Sequence, residues 1–314
     1  MKGIAPHVPI HWGLTGTPAS NGLKDLHGQY LLLDEGARLG RGVTEFKQKF
    51  FYQVGPFNQL KEFDTTADKI RDLISDITLQ LKEEDYSQLP PFTYQDLWVE
   101  LPPKLRVQYD ELEREMFTQL DSGTELEVFN KASVTNKCLQ FASGAVYLVP
   151  GEPEAENIHD LKLEVMDEIL EEIGDQNILV MYQFKVEAAR LMKKYPFAVN
   201  VSGTSGKAFE KIQDDWNAGK IKMLIGHHLS MGHGLNLQKG SRYMAAVGQT
   251  WSSEGWRQVI KRIHRTGQQF PVRCFRILVA DTADVMQKLA LERKESDEEA
   301  FRDSVAEYRK LRGM

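Results

Sequence analysis

Apolar residues recur at two different spacings in the second half of the chain, and this alternation predicts its architecture. The segment NIHDLKLEVMDEILEEIGDQ carries apolar residues at helical spacing and stops at Gly174, and the run NILVMYQF that follows is apolar almost throughout. Such a pair is typical of a helix that packs on a strand covered on both faces. The apolar helical positions are Ile158, Leu161, Val165, Ile169 and Ile173.

The same alternation continues to about residue 280. KVEAARLMKKY predicts a helix that ends before Pro196, and KAFEKIQDDWNAG predicts another that ends near Gly219. The second helix would place Phe209, Ile212 and Trp216 on one face. The segments FAVNVSG, IKMLIGHH, RYMAAVG and VRCFRILVA predict further strands. Because strands that alternate with helices form parallel sheets, we predict an α/β fold with about five parallel strands and crossover helices.

The first half of the chain has a polar and mostly helical pattern. It is broken by QLPPFTYQDLWVELPPK, whose paired prolines bracket one strand around DLWVEL. The stretch VPGEPEAEN predicts a linker, and the charged tail LERKESDEEAFRDSVAEYRKLRG predicts a terminal helix. For that tail, a solvated helix is the simpler interpretation.

Composition narrows the class of protein. A chain of 314 residues that is 41% hydrophobic and 27% charged is globular, and its net charge of -6 means that any polyanion site must be local. Cys138 and Cys274 are too few for a disulfide framework or a cysteine zinc site, which favours a reducing compartment. No apolar run approaches the roughly 18 residues that span a bilayer, and a secretory signal is not apparent. We therefore expect a cytoplasmic protein without a membrane partner.

One basic segment stands out in this acidic chain, EGWRQVIKRIHRTGQQ at residues 254–269. Gln258, Arg262 and Arg265 follow one another at i, i+4 and i+7, so a helix would present them on one face. The other face would bury Trp256, Val259, Ile260 and Ile263. Arginines at this spacing suit bidentate contact with phosphate, although an ordinary solvent-exposed amphipathic helix remains an open alternative.

Two glycine-containing turns add to this picture. SMGHGLNLQ follows a predicted strand, and HWGLTGTPASN follows a short apolar start. Each turn is a weak signal by itself. The residues of interest are Gly232, Gly234 and Asn236 in the first, and Thr15, Gly16, Thr17 and Pro18 in the second.

In this order and combination, the segments resemble motifs of the Swi/Snf-like group of superfamily-two helicases and DNA translocases. LTGTPASNGLKDLHGQYLLLDEGARLG resembles the third motif of that group, NILVMYQF the fourth, GHGLNLQ the fifth and QVIKRIHRTGQ the sixth, which is the most specific. The resemblance runs through essentially the whole chain. It implies a RecA-like parallel sheet flanked by helices as the second motor lobe, preceded by the end of a truncated first RecA-like lobe and a helical region.

The resemblance also implies a division of the chain. Residues 1–105 would be the remnant of the first lobe with a helical protrusion, and residues 106–157 a helical region with a linker. Residues 158–295 would be the second RecA-like lobe, and residues 296–314 a charged C-terminal helix.

The roles implied by the resemblance follow from ATP held between two lobes that move along double-stranded DNA. Arg262 and Arg265 would be arginine fingers that reach the γ-phosphate, with Gln258 alongside. The residues that would couple nucleotide state to the lobe interface are Thr15, Gly16, Thr17, Pro18, Gly232, Gly234 and Asn236. The residues that would contact DNA are Ser230, His228, Lys239 and Arg242.

Two motifs of the first lobe are not found in the sequence. Gly203 and Gly206 in SGTSGKAF are too close together for a P-loop, and there is no Asp-Glu-x-His motif. The resemblance places both motifs upstream of TGTP. We therefore expect that this chain alone neither holds ATP and Mg²⁺ nor hydrolyses ATP, and that it needs a polypeptide carrying the P-loop lobe. The compact form favours a bacterial or phage setting.

The chain departs from the family pattern before and within the fifth motif. His227 and His228 stand where smaller residues are usual, and Met231 and His233 interrupt the glycine run. A metal site built from the three histidines is disfavoured, because no carboxylate or cysteine lies nearby in sequence to complete it. Two other functions remain open, a non-catalytic nucleic-acid-binding or regulatory module and an inert fragment of an interrupted helicase gene.

Overall fold

The computed structural model describes residues 10–15, 18–19, 22–54, 59–80, 89–121, 128–149, 154–231, 236–293 and 297–313. The chain divides into two compact units, Met1–Tyr86 and Ser87–Met314, which are called unit 1 and unit 2 below.

The described residues of unit 1 form a short 3-10 helix (Leu23–Asp25), three α-helices and one hairpin. After the 3-10 helix come, in chain order, α1 (Leu26–Asp34), α2 (Val43–Phe50), the antiparallel strands β1 (Phe51–Val54) and β2 (Gln59–Glu62), and α3 (Thr66–Ile74). Its core contains apolar side chains from all three α-helices, the α1–α2 connection and strand β1, among them Leu39, Phe46, Phe50, Phe51 and Ile70. The predicted helical character of this part is confirmed for these three segments. Its assignment as the end of a first motor lobe stays a prediction.

Unit 2 contains the sheet and the remaining helices. It begins with β3 (Phe92–Val99), α4 (Pro103–Asp121), α5 (Val128–Ser143) and the short hairpin β4 (Ala145–Tyr147) and β5 (Ala155–Asn157). It continues with α6 (Leu161–Ile173), β6 (Ile178–Tyr182), α7 (Lys185–Lys194), β7 (Ala198–Asn200) and α8 (Gly206–Asn217). The last part comprises β8 (Met223–His227), α9 (His228–Met231), β9 (Tyr243–Ala246), α10 (Ser253–Ile263), β10 (Val272–Val279), α11 (Ala283–Glu292) and α12 (Asp297–Arg312).

The central sheet of unit 2 has six parallel strands in the order β3-β10-β9-β6-β8-β7. The α/β architecture and the five strands predicted in the second half are confirmed. The sixth strand, β3, pairs along its whole length with β10 and lies in unit 2. The predicted boundary at residue 105, which put this strand in the first-lobe remnant, therefore differs from the structure, because the pairing partner of β3 lies far along the chain.

Both faces of the sheet are covered, which explains the continuous apolar runs. All five residues of β6 are buried, and helices on either side supply the facing side chains. The line of Met166, Ile169 and Ile173 on α6 packs on one face, and Trp216 of α8 packs on the other. The predicted stripe of α6 is confirmed for Val165, Ile169 and Ile173. It is wrong for Ile158, which precedes the helix, and for Leu161, because both pack on a different apolar cluster.

A third apolar cluster lies among α4, α5, α11 and α12, next to the sheet. The C-terminal helix α12 belongs to it, since Tyr308 is 1% exposed and its hydroxyl donates to Glu113 Oε1 at 2.5 Å. Arg312 also donates to Glu113 Oε2, at 3.2 Å. The interpretation of this tail as a solvated helix is therefore wrong for one of its faces, because apolar residues recur at helical spacing between the charges. The predicted linker VPGEPEAEN likewise contributes β5 to a hairpin.

Candidate nucleotide and nucleic-acid interface

The basic segment forms α10, and its apolar face is the one predicted. Ser252 caps the helix, because its Oγ accepts a hydrogen bond from the Gly255 backbone N–H at 3.1 Å. Trp256, Val259 and Ile263 are buried against the sheet. The opposite face carries the cations, so the sheet fixes the direction in which they point.

The helix ends earlier than the sequence spacing implies. Its last residue is Ile263, and Arg265 lies in the turn that follows. That turn is closed by the Gln268 backbone N–H, which donates to the Arg265 carbonyl at 3.0 Å, and by Gly267, whose φ of 99° suits glycine. The prediction that Gln258, Arg262 and Arg265 share one helical face is therefore wrong for Arg265, because the chain leaves the helix before it.

Arg265 instead contacts the predicted nucleotide residue Asn236. Its Nη1 donates a hydrogen bond to Asn236 Oδ1, across 29 residues of sequence. The Leu237 backbone N–H also donates to the Arg262 carbonyl at 3.0 Å, so the two segments lie side by side. Because residues 236–242 precede β9 and residues 264–271 precede β10, this contact lies at the amino edge of the parallel sheet.

Arg262 is half-buried on α10, and the positive charge of Arg265 acts on it. Burial first, and then the positive charge of Arg265, lower the pKa of Arg262. A pair of close guanidinium groups favours the approach of an anion, because an anion offsets their mutual repulsion. Gln258 lies one turn earlier and donates from Nε2 to Glu254 Oε1 of its own helix at 2.7 Å.

His228 and Ser230 lie at the opposite end of α10, because α9 follows the carboxyl end of β8. The His228 ring lies against Gly255, where a Cβ would come within 2.8 Å of it, and its Nε2 lies 3.3 Å from Thr250 Oγ1. Burial, followed by the neighbouring His227, lowers the pKa of His228 to about 4. The ring is therefore neutral at physiological pH and cannot bind a DNA phosphate as a cation. Ser230 is half-buried beside it.

Lys239 and Arg242 lie in the segment that leads into β9. Lys239 is exposed. The guanidinium of Arg242 lies 4.9 Å from the ring centroid of Tyr243 and 5.7 Å from that of the exposed Phe270. Two aromatic rings therefore hold this cation at the surface.

Two basic residues of β10, Arg273 and Arg276, form ion pairs within the protein. Arg276 is buried between Asp96, at 2.6 Å, and Glu292, at 2.9 Å. Arg273 forms an ion pair with Glu172. Of the other cations between Lys239 and Arg276, Lys239 and Lys261 are exposed, and Arg242, Arg262 and Arg265 are half-buried.

The coupling residues predicted in the first half lie in unit 1. Thr15 is exposed, and the carbonyl of the exposed Pro18 accepts a hydrogen bond from Gln29 Nε2 at 2.6 Å. Gly16, Thr17, Gly232 and Gly234 lie outside the described residues.

A buried polar group at the carboxyl edge of the sheet was not foreseen. Lys162 Nζ bonds Asp284 Oδ2 at 2.7 Å and the Val247 carbonyl at 2.9 Å. Glu187 accepts from the backbone N–H groups of Gln183 and Phe184 at 2.7 and 2.8 Å. Lys162 binds Asp284 and the loop after β9, and Glu187 binds the loop after β6, so these buried charges order that edge. The available signal was a lysine within the apolar stripe of α6, four residues before Met166.

The described residues contain neither a metal-binding cluster nor a membrane-spanning helix. Among them, no group of three or more His, Cys, Asp and Glu side chains could hold a metal ion, and His233 lies outside them. Within the same part of the chain, no helix is long and apolar enough to cross a bilayer.

Comparison with known proteins agrees with this architecture. No family model matches the chain. Putative protein p41 of Acyrthosiphon pisum secondary endosymbiont phage 1 is 36% identical over 315 residues, which cover 97% of this chain and 66% of that protein. The chain thus spans just under two thirds of the length of this relative.

Solved structures give the fold. The Sulfolobus solfataricus SWI2/SNF2 ATPase core in complex with dsDNA matches with a TM-score of 0.54 and 20% identity, over 95% of this chain and 65% of that chain. The separate C-terminal domain of the Sulfolobus solfataricus SWI2/SNF2 ATPase matches with a TM-score of 0.50 and 16% identity, over 70% of this chain and 97% of that one.

The six-stranded parallel sheet flanked by helices is a RecA-like lobe. More narrowly, the chain has the fold of the C-terminal part of a Swi/Snf-like ATPase core, and the resemblance stated from its motifs is confirmed at the level of the fold.

Proposed function

We propose that the chain supplies the second motor lobe of a Swi/Snf-like, ATP-dependent translocase of double-stranded DNA. In this proposal Arg262 and Arg265 are arginine fingers for ATP held by a separate polypeptide that carries the P-loop lobe. The P-loop and the residues that bind Mg²⁺ come from that polypeptide. Lys239 and Arg242 contact the DNA backbone, since an exposed lysine and an aromatic-supported arginine suit phosphate.

The observation that carries the proposal is the contact between Arg265 and Asn236. Two segments that resemble different helicase motifs converge in the fold, and each contributes a predicted nucleotide residue to the same contact. Arg262, on α10, lies three residues before Arg265, and its carbonyl accepts a hydrogen bond from the Leu237 backbone N–H. Two guanidinium groups held by a rigid lobe can stabilise charge that develops on a transferred phosphoryl group.

The experiment that tests the proposal is complementation. DNA-stimulated ATP hydrolysis is measured for this chain alone, for a polypeptide carrying a P-loop lobe of the same fold, and for their mixture. Hydrolysis in the mixture well above the sum of the two separate rates is the expected result. Equal rates in the mixture and in the sum would contradict the proposal.

A second candidate is a duplex-binding module without ATPase function, favoured by the exposed cations around α10 alone. It predicts that duplex affinity is the same with and without a nucleotide and the P-loop polypeptide. A motor lobe predicts an affinity that changes with the nucleotide bound to the mixture.

A further inference from the structure

Asn236 is held by α8 as well as by Arg265. Its backbone N–H donates to Gln213 Oε1 at 2.8 Å, and its carbonyl accepts from Asn217 Nδ2 at 2.7 Å. Gln213 and Asn217 stand one turn apart on the same face of α8. The two side chains therefore hydrogen-bond both main-chain polar groups of Asn236, and the Asn236 side chain in turn binds Arg265.

The helix that carries this pair of amides is itself anchored. Trp216, which lies between them in sequence, is fully buried, and its Nε1 donates to the Leu237 carbonyl at 2.9 Å. The indole lies so close to Gly240 that a Cβ there would collide with it. The position of α8 relative to residues 236–240 is therefore fixed by packing as well as by hydrogen bonds.

Arg265 depends on this anchor more than Arg262 does. Arg262 projects from α10, whose apolar face is packed on the sheet, whereas Arg265 lies beyond the last helical residue. The contact with Asn236 is thus a constraint on the Arg265 guanidinium that the helix does not supply. The amides on α8 in turn keep the Asn236 backbone in place.

We propose that Gln213 and Asn217 are positioning residues that set the location of the Arg265 guanidinium through Asn236. This inference rests on the proposed function for its catalytic consequence, but the positioning itself is a property of the chain alone. A motor that brings a finger to a phosphate gains from a finger that is already oriented, because a displacement of about 1 Å can cost on the order of a hundredfold in rate.

The two amides play opposite hydrogen-bonding roles, and this supplies a matched pair of substitutions. Gln213 accepts from an N–H group, so Gln213→Glu keeps the acceptor. Asn217 donates to a carbonyl, so Asn217→Asp removes the donor and places a carboxylate beside an acceptor. Both changes add one negative charge to the same helix face, one turn apart, so charge alone predicts similar effects. Glu210→Gln, at an exposed position of α8, is the control.

The first readout uses the chain alone and does not involve ATP. The Nε–H resonance of Arg265 is identified by its absence from the spectrum of Arg265→Lys. The ¹⁵N relaxation of this resonance reports how far the guanidinium is ordered. We expect Asn217→Asp to make this group as mobile as an exposed arginine, whereas Gln213→Glu and Glu210→Gln leave it ordered. An unchanged Arg265 signal in Asn217→Asp, or equal loss of order in both carboxylate variants, would overturn the inference.

The second readout is DNA-stimulated hydrolysis by the mixture with the P-loop polypeptide. We expect Asn217→Asp to lower kcat by about ten- to hundredfold with little change in KM for ATP, and Gln213→Glu to stay near the parent. A mobile Arg265 with unchanged kcat would overturn the catalytic consequence if Arg265→Ala does lower kcat. If Arg265→Ala leaves kcat unchanged, the finger assignment fails, while the relaxation result still decides the positioning.

Discussion

Arg265 and Asn236 meet across 29 residues of sequence, and neither spacing nor composition could have predicted their contact. The residue types were predictable, because turn-spaced arginines and a glycine-flanked asparagine carry recognisable chemistry. Their geometry was not, because the end of α10 depends on Gly267 and the turn around it, and a helical period read from the sequence runs on through that turn. A contact between two segments so far apart in sequence is seen only in the folded structure.

His159 makes the stability of unit 2 sensitive to acid. Burial first, and then the charges of Lys162 and Arg190, lower the pKa of His159 from 6.5 to about 4. The unfolded chain therefore binds this proton at a higher pH than the folded chain, and the free energy of unfolding falls as the pH drops from about 6.5 towards 4. Burial also lowers the pKa of His228 to about 4, so His228 adds to the same effect.

We expect His159→Gln to reduce this pH dependence, because the proton-binding ring is then absent from both states. Urea unfolding of the parent and the variant at pH 7 and at pH 5 measures it. The parent should lose more stability than the variant between the two values. An equal loss in both would show that His159 is not the group responsible.

At the scale of elements, the strands of the second half were predictable because both of their faces are buried. A short, continuous apolar run such as Ile178–Tyr182, placed between two helical patterns, indicates a strand of a doubly covered parallel sheet. The edge strand β3 gave a weaker signal. Its side chains are half-buried or exposed, and its only sheet partner among the described residues is β10, so its membership of the sheet was not readable locally.

The C-terminal helix α12 provides a stability prediction at the same scale. We expect Tyr308→Ala to lower the free energy of unfolding by about 3–5 kcal/mol, because it removes a fully buried ring and leaves a cavity. Tyr308→Phe keeps the ring but removes the donor to Glu113, and should cost about 1–3 kcal/mol.

The control for this helix is Leu311→Ala, since Leu311 is 66% exposed. It should change stability by less than about 0.5 kcal/mol. Urea unfolding monitored by circular dichroism measures all three variants. A small effect of Tyr308→Ala, similar to that of Leu311→Ala, would contradict the docking of α12 on α4.

At the scale of the whole molecule, the net charge of -6 and the local cations define how DNA would bind. If two to four of the surface cations near α10 contact phosphates, the logarithm of the association constant should fall with the logarithm of salt concentration with a slope of about -2 to -4. Fluorescence anisotropy with a short duplex at several salt concentrations measures the slope.

The double change Lys239→Gln and Arg242→Gln should reduce the magnitude of that slope by about 2 if both residues bind phosphate. Arg273→Gln is the matched control, because Arg273 is already paired with Glu172. A slope near zero in the parent protein would contradict phosphate contact by these cations.

The central claim is that this RecA-like lobe supplies arginine fingers to a motor. The most direct measurement is the DNA-stimulated ATP hydrolysis rate of the chain mixed with a P-loop polypeptide, for Arg262→Ala, Arg265→Ala and the control Arg257→Ala. Arg257 is exposed on the same helix and lies 3.6 Å from Glu254. We predict that each finger variant lowers kcat by about 10³-fold or more, while the control retains the parent rate. Parent rates in both finger variants would contradict the claim.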